Sequence, residues 1–409
     1  MQPGQSIPTF GDALRRMSDQ ATHLYVDGRR YWFSTQPSVN RLAQDRASQV
    51  EQHEVWDEIK RRIREETKRA GRGQSQGVRV HPFPTSGGDM DDERDARLVV
   101  LGPEHPHTPR IPGSPARIQA ASLLDQRGSG RRIFRNTLVF MAADKNGLET
   151  LEKAVRQYLA WDAIWKEREV HNLDAFQSNQ AQQKRGDADT SVQQRVPEAY
   201  RWLLVPTLSE PTSTTLEWAD LPVNGQGALV ERALRKLIPD HLTTEFGGAN
   251  LRLWLDRLLW RDKDHVAVKD LADHFAQYLY LPRLKGTEVL LAAVQMAASL
   301  PTWEQDAFAL ADGWDEEAKR YRGLRIGQSD GVSLDTLLVK PDVASAQLER
   351  EAPQKEATTG ECLGPTTGGG QARDEGEGPQ PPEPPPQSLP KRYHGTVELN
   401  AQRVSRDAG

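Results

Sequence analysis

Two groups of side chains have the types and placing for phosphoryl chemistry. The apolar run NTLVFMA (residues 136–142) leads through Ala143 to Asp144, putting a carboxylate at the carboxyl end of a predicted strand. At such a strand end a carboxylate can hold Mg²⁺ or orient a water beside a nucleotide. The same Asp can instead cap the next helix, with Asn146 and Gly147 making the turn. The second group is Arg127, Arg131, Arg132 and Arg135, just upstream of that strand. An arginine presented across a subunit interface can neutralise charge developing on a transferred phosphoryl group. A solvated basic loop is the alternative, because these residues precede the strand, at the edge opposite the usual active face.

Other candidates are weaker. Glu104, His105 and His107 in PEHPH are metal-ligand types, but prolines crowd them and no second ligand pair follows. The acidic stretch 89–95 reads as a solvated loop. The one cysteine, Cys362, lies in a linker-like segment, so a disulfide framework within the chain is excluded and a cysteine nucleophile is not expected. No Ser/His/Asp arrangement has an informative local context.

The elements that must position these residues alternate. RLVVL (97–101) reads as a buried strand, 114–125 as a helix, 136–142 as a second buried strand and 149–165 as a helix. This β-α-β-α order builds the parallel sheet of a nucleotide-handling α/β domain. The glycine loop that cradles phosphate is absent, and no Gly-Lys dipeptide occurs in the 409 residues. HLYVDGRRYWFST (23–35) reads as a hairpin turning at Asp27-Gly28. Apolar positions from Val39 to Ile63 recur at helical spacing after Ser38, a plausible N-cap. Residues 170–196, rich in Gln and Ala, read as a projecting helical arm, and YRWLLV (200–205) as another strand. Thr207 to Asn224 has the turn-rich composition of a boundary.

Beyond that boundary the chain reads as mainly helical, with a small terminal sheet. Residues 261–285 combine basic corners with Asp262, Asp264, Asp270 and Asp273. A winged-helix module entering a DNA groove is one reading. The interleaved acids would repel phosphate and favour a structural or protein-contact role. Residues 346–391, with GGG and PPEPPPQ, read as a linker too poor in apolar area to offset ordering entropy. RYHGTVEL (392–399) starts a further strand-like element, expected to be cut short.

Composition sets the bounds. Hydrophobic residues make up 36% and charged residues 27%, so part of the chain is expected to be disordered. The net charge of −5 gives no general attraction to nucleic acid, and DNA contact would need a local basic patch. No apolar run approaches the length that spans a bilayer and no signal peptide is evident, so a cytoplasmic protein with no membrane contact is expected.

Several separated runs carry a family resemblance. They are LYVDGRRYWFSTQPSVNRLAQDRA (24–47), PGSPARIQAASLL (112–124), FRNTLVFMAADKNGLETLEKAVRQYLAW (134–161), LYLPRLKGTEVLLAAV (279–294), WEQDAFALADGWDEEAKRYRGLR (303–325) and RYHGTVELNAQRVSRDAG (392–409). In this order they resemble the large bacterial ATP-binding proteins of domain-of-unknown-function family four-nine-nine, often associated with anti-phage defence islands beside DNA methyltransferases and helicases. The resemblance implies an AAA-like P-loop ATPase using ATP and Mg²⁺, whose Walker A half is not in this sequence. No phosphate-binding residue can be carried over.

The expectation is therefore α/β: residues 10–215 as the distal part of a P-loop-type ATPase core, 216–345 as a helical, winged-helix-like domain, 346–391 as linker and 392–409 as the start of a further domain. Arg131, Arg132, Arg135 and Asp144 are its candidate catalytic residues. Its expected partner is an N-terminal ATPase half or an oligomeric neighbour. The chain alone is expected to be inactive. The rival expectations are a non-enzymatic DNA-binding module and a scaffold that docks partners.

Overall fold

The computed structural model describes residues 11–351 apart from 15, 18–20, 22–23, 28–29, 34–37, 71–76, 226, 239 and 261–262. The expected linker beyond Glu351 and the strand-like element after it lie outside the described residues.

The hairpin forms as β1 (Leu24–Asp27) and β2 (Arg30–Phe33), antiparallel with Leu24 opposite Phe33. Helix α1 (Val39–Gln49) starts at Ser38, whose hydroxyl accepts from the Arg41 N–H as the sequence predicts. Helix α2 (Gln52–Ala70) follows, with Val55, Ile59 and Ile63 buried at a spacing of four residues on one face.

A five-stranded mixed sheet organises the first region. Its order is β3 (Arg79–Pro82), β4 (Arg97–Val100), β7 (Leu138–Ala143), β8 (Tyr200–Thr207) and β9 (Glu217–Pro222). The first three run parallel, and β8 and β9 are antiparallel additions beside β7. Between β4 and β7 lie α3 (Pro115–Asp125) and a tight hairpin of β5 (Gln126–Arg127) and β6 (Gly130–Arg131). Strands β4 and β7 are buried at every residue because both faces are covered, which is why they read as continuous apolar runs. Leu98, Val100, Val139 and Met141 face a core built with α2 and with α4 (Lys145–Lys166). Val99, Leu138 and Phe140 face a second core built on Ala120, Leu123 and Leu124 of α3.

The arm predicted to project at 170–196 is instead a packed helix, α5 (Ala175–Ala199), which lies along α4 and buries Ala181, Val192 and Val196. The boundary predicted at 207–224 instead holds β9, an edge strand that is only half buried and so leaves a weak hydrophobic pattern. Trp218 on β9 packs over Phe140 with ring centroids 6.0 Å apart. Helix α6 (Leu229–Leu237) also joins the first core, through Leu229, Val230, Ala233, Leu234 and Leu237. The two main cores therefore part between Leu242 and Phe246, later than the expected 215/216 division.

The second region holds α7 (Gly248–Trp254), β10 (His265–Ala267), α8 (Val268–Gln277), α9 (Thr287–Ala298), β11 (Ala309–Ala311), the hairpin β12 (Gly313–Asp315) and β13 (Arg320–Arg322), β14 (Leu337–Val339) and α10 (Pro341–Glu351). Strand β14 lies between β10 and β11, antiparallel to both. Helix α10 runs across the 345/346 boundary expected for the linker. The regions are joined by buried polar bonds: Asn136 Nδ2 donates to the carbonyls of Phe275 and Leu281, and Arg283 donates to those of Asn136 and Pro206. Among the described residues no helix is long and apolar enough to cross a membrane.

Candidate functional site

In open sheets with parallel strands, ligands bind outside the carboxyl ends of those strands. Here that edge is formed by the loop after β4 (residues 101–114), by Asp144 after β7 and by the start of β8, since Tyr200 pairs with Ala143. The loop lies against the end of β7. The His107 N–H donates to the Ala143 carbonyl at 2.7 Å, and the Lys145 N–H to that of His107 at 3.1 Å.

Asp144 takes the capping role. Oδ2 accepts from the Gly147 N–H at 3.0 Å, and Oδ1 from the indole Nε1 of Trp202 at 2.9 Å. Burial works against its ionisation, but those bonds and the nearby Arg201 charge outweigh it and hold the carboxyl below its ordinary range. Both oxygens thus have protein partners.

Beside it is a buried polar network. His107 Nδ1 lies 3.0 Å from Ser114 Oγ, and Nε2 lies 3.2 Å from Asp220, which also pairs with Arg117 at 2.6 Å. The imidazole meets Trp202 edge-on at 5.5 Å. Burial lowers the His107 pKa, favouring the neutral ring. Ser, His and Asp are the types of a nucleophilic triad. Yet Ser114 is 1% and His107 0% exposed, so no substrate carbonyl reaches the hydroxyl. The network clamps the loop and α3 to β9. Sequence reasoning missed it because Asp220 is more than a hundred residues from His107. Glu104 instead points to Lys60, 3.0 Å away. The PEHPH residues are therefore not gathered round a metal position, and no group of three His, Cys, Asp or Glu able to hold one occurs among the described residues.

The same edge carries an open cleft of about 520 Å³ between α5, the start of β8 and the β9–α6 turn. Glu198, Arg201, Asn224, Gly225, Gly227 and Arg232 line it. Gly225 and Gly227 have φ of 100° and 117°, a backbone that a side chain would strain. Arg232 is 5% exposed and donates from both terminal nitrogens to the Pro197 carbonyl, at 3.1 Å each. The Arg201 guanidinium lies 6.0 Å from the Trp202 ring and reaches Asn224 Oδ1 at 3.4 Å. The Nε of each arginine is buried and has no partner among the described residues. Burial lowers the Arg232 pKa and the Arg201 charge adds to this, while Glu66 opposes it. The Glu66 carboxylate also accepts from the Leu229 N–H at 2.6 Å, so the α6 N-terminus is already capped. The signal for this cleft was the glycine pair in VNGQGA, which the turn-rich composition of its surroundings obscured.

The predicted arginines lie at the other end of β7. Arg131 is exposed on the β5–β6 hairpin. Arg135 pairs with Asp125 at 2.7 Å, and Arg127 reaches Asp91 at 3.9 Å. Arg132 is 4% exposed and donates to the carbonyls of Leu123 and Gly87, with Asp92 3.6 Å away. The six residues of β7, about 20 Å of strand, separate this cluster from Asp144. No family model, curated protein or solved structure matches the chain.

Proposed function

We propose that this chain is the distal, phosphate-sensing module of an ATP-dependent assembly. In this reading a neighbouring polypeptide grips the Mg²⁺-bound triphosphate, and the Arg201–Arg232 cleft neutralises its negative charge. The observation that carries it is the cleft itself: the Arg201 guanidinium lines an open cavity, with the buried Arg232 beside it, at the sheet edge where α/β domains bind ligands. A phosphate oxygen is the chemical complement of such donors. The arginine role foreseen for Arg131, Arg132 and Arg135 passes to Arg201, because those three lie at the amino end of β7 and Arg201 lies at its carboxyl edge. The family-level role in phage defence, beside a methyltransferase or helicase, belongs to this same proposal.

The test is calorimetric titration of the chain with pyrophosphate and with Mg²⁺–ATP. Saturable binding is expected, weakened about tenfold by Arg201→Ala and by a rise in salt. Absence of pyrophosphate binding at low salt would overturn the reading. Adding the chain to a Walker A-bearing partner should raise ATP turnover, and Arg201→Ala should blunt that rise.

A winged-helix reading of the second region draws support from its order of α7, β10, α8, α9, β11 and β14 with β14 central. Helix α9 would be its groove-reading element. The exposed side of α9 presents Glu288, Ala292, Gln295 and Met296 and no cation, so a protein contact suits it better than DNA. Tight, salt-sensitive binding to duplex DNA would reverse that preference.

A further inference from the structure

The β12–β13 hairpin holds an aromatic pocket whose rim is acidic, and nothing in the phosphate-sensing reading uses it. Trp314 and Tyr321 are directly opposed across the hairpin, with ring centroids 4.7 Å apart. His265, on β10, stacks on Trp314 at 6.0 Å and meets Tyr321 edge-on at 5.5 Å. Its Nδ1 shares a hydrogen bond of 3.1 Å with the Tyr321 hydroxyl. The three rings, with Val266, Ala267 and Leu337, line an open cavity of about 390 Å³.

The cavity is built rather than incidental. Gln347 of α10 is 4% exposed and brackets the Tyr321 backbone, accepting from its N–H at 2.8 Å and donating to its carbonyl at 2.9 Å. A side-chain amide thus substitutes for a missing strand and holds the hairpin against α10. The Lys340 N–H donates to the Asp264 carbonyl, fixing the rim residue next to His265.

Charge decides what such a pocket takes. Asp264 and Asp270 line it, with Lys263 the one Lys or Arg in the lining among the described residues. Burial raises the Tyr321 pKa and the Asp264 charge adds to it, while Asp264 and Glu316 act on His265 against burial and Lys263, so both carboxylates lie within electrostatic reach of the rings. Aromatic faces attract a weakly hydrated cation, and carboxylates add to that attraction. A phosphate or an acidic peptide would be repelled.

We infer that the pocket of His265, Trp314 and Tyr321 binds an alkylammonium group, such as a methylated lysine side chain presented by a partner. The test uses N-acetyl-trimethyl-lysine methylamide and its uncharged tert-butyl isostere, titrated calorimetrically into the full chain. The charged probe should bind at least about tenfold more tightly than the isostere. Trp314→Ala should abolish that difference. Asp264→Asn, an exposed change that leaves the packing intact, should weaken the charged probe several-fold and leave the isostere unmoved. Equal affinities for the two probes, no binding of either, or indifference to both substitutions would each overturn the inference. Arg201→Ala should have no effect, which separates this pocket from the phosphate cleft.

Discussion

Arg132 and Arg232 are nearly equally buried, at 4% and 5% exposure, yet they stand in opposite situations. Arg132, at the amino end of β7, is surrounded by the carbonyls of Gly87, Met90 and Leu123 and has the Asp92 carboxylate beside it. Arg232 shares carbonyls too, but its Nε is unpartnered and it borders an open cleft beside a second arginine. Equal burial therefore covers two different surroundings. At the amino end Asp92 lies 3.6 Å from Arg132; at the carboxyl edge the Glu66 charge acts on Arg232 and the cleft beside it is open.

The sharpest break of that comparison is Arg132→Ala. It leaves the carbonyls of Gly87 and Leu123 without their donor and Asp92 with only its two backbone partners, and should lower unfolding stability by about 3–5 kcal/mol in chemical denaturation. A small loss with reduced phosphate binding would exchange the roles of the two ends. Next in size, Arg201→Ala should cost about tenfold in pyrophosphate affinity while moving stability by less than about 0.5 kcal/mol.

Asp144→Ala should cost about 1 kcal/mol, the worth of an N-cap, and Asp144→Asn much less, because an amide oxygen can still accept. Collapse of phosphate binding in Asp144→Asn, with normal stability, would restore a ligand-holding role for that carboxylate.

The smallest effect concerns acid. Burial lowers the pKa of His81, His105, His107, His241 and His265. A depressed folded pKa means that the unfolded chain takes up the proton first as pH falls. Stability should then be full above the ordinary value of 6.5 and decline below it. His107→Gln should flatten part of that decline in a pH series of melting curves; an unchanged slope would remove His107 as a contributor.

What could be read from the chain differs between the two ends of β7. Strands β4 and β7 were legible because burial on both faces demands unbroken apolar runs. Helix α4 was legible from its periodicity, and Asp144 as its possible cap. Strand β9 was not, because an edge strand buries only part of each side chain, and its Asp, Glu and Pro read as turn chemistry. Helix α6 showed its amphipathic pattern, but a pattern does not say which core the apolar face joins.

The sequence by itself determined the periodic elements, the parallel pair of strands and the absence of a phosphate-cradling glycine loop, because these depend on residues close in the chain. Only the tertiary structure decided which polar side chains meet. Packing placed Asp220 beside His107, set Arg201 and Arg232 on one cleft wall and enclosed Arg132 in carbonyls. The number and charge of a buried group's neighbours are properties of the folded arrangement, and no local spacing encodes them.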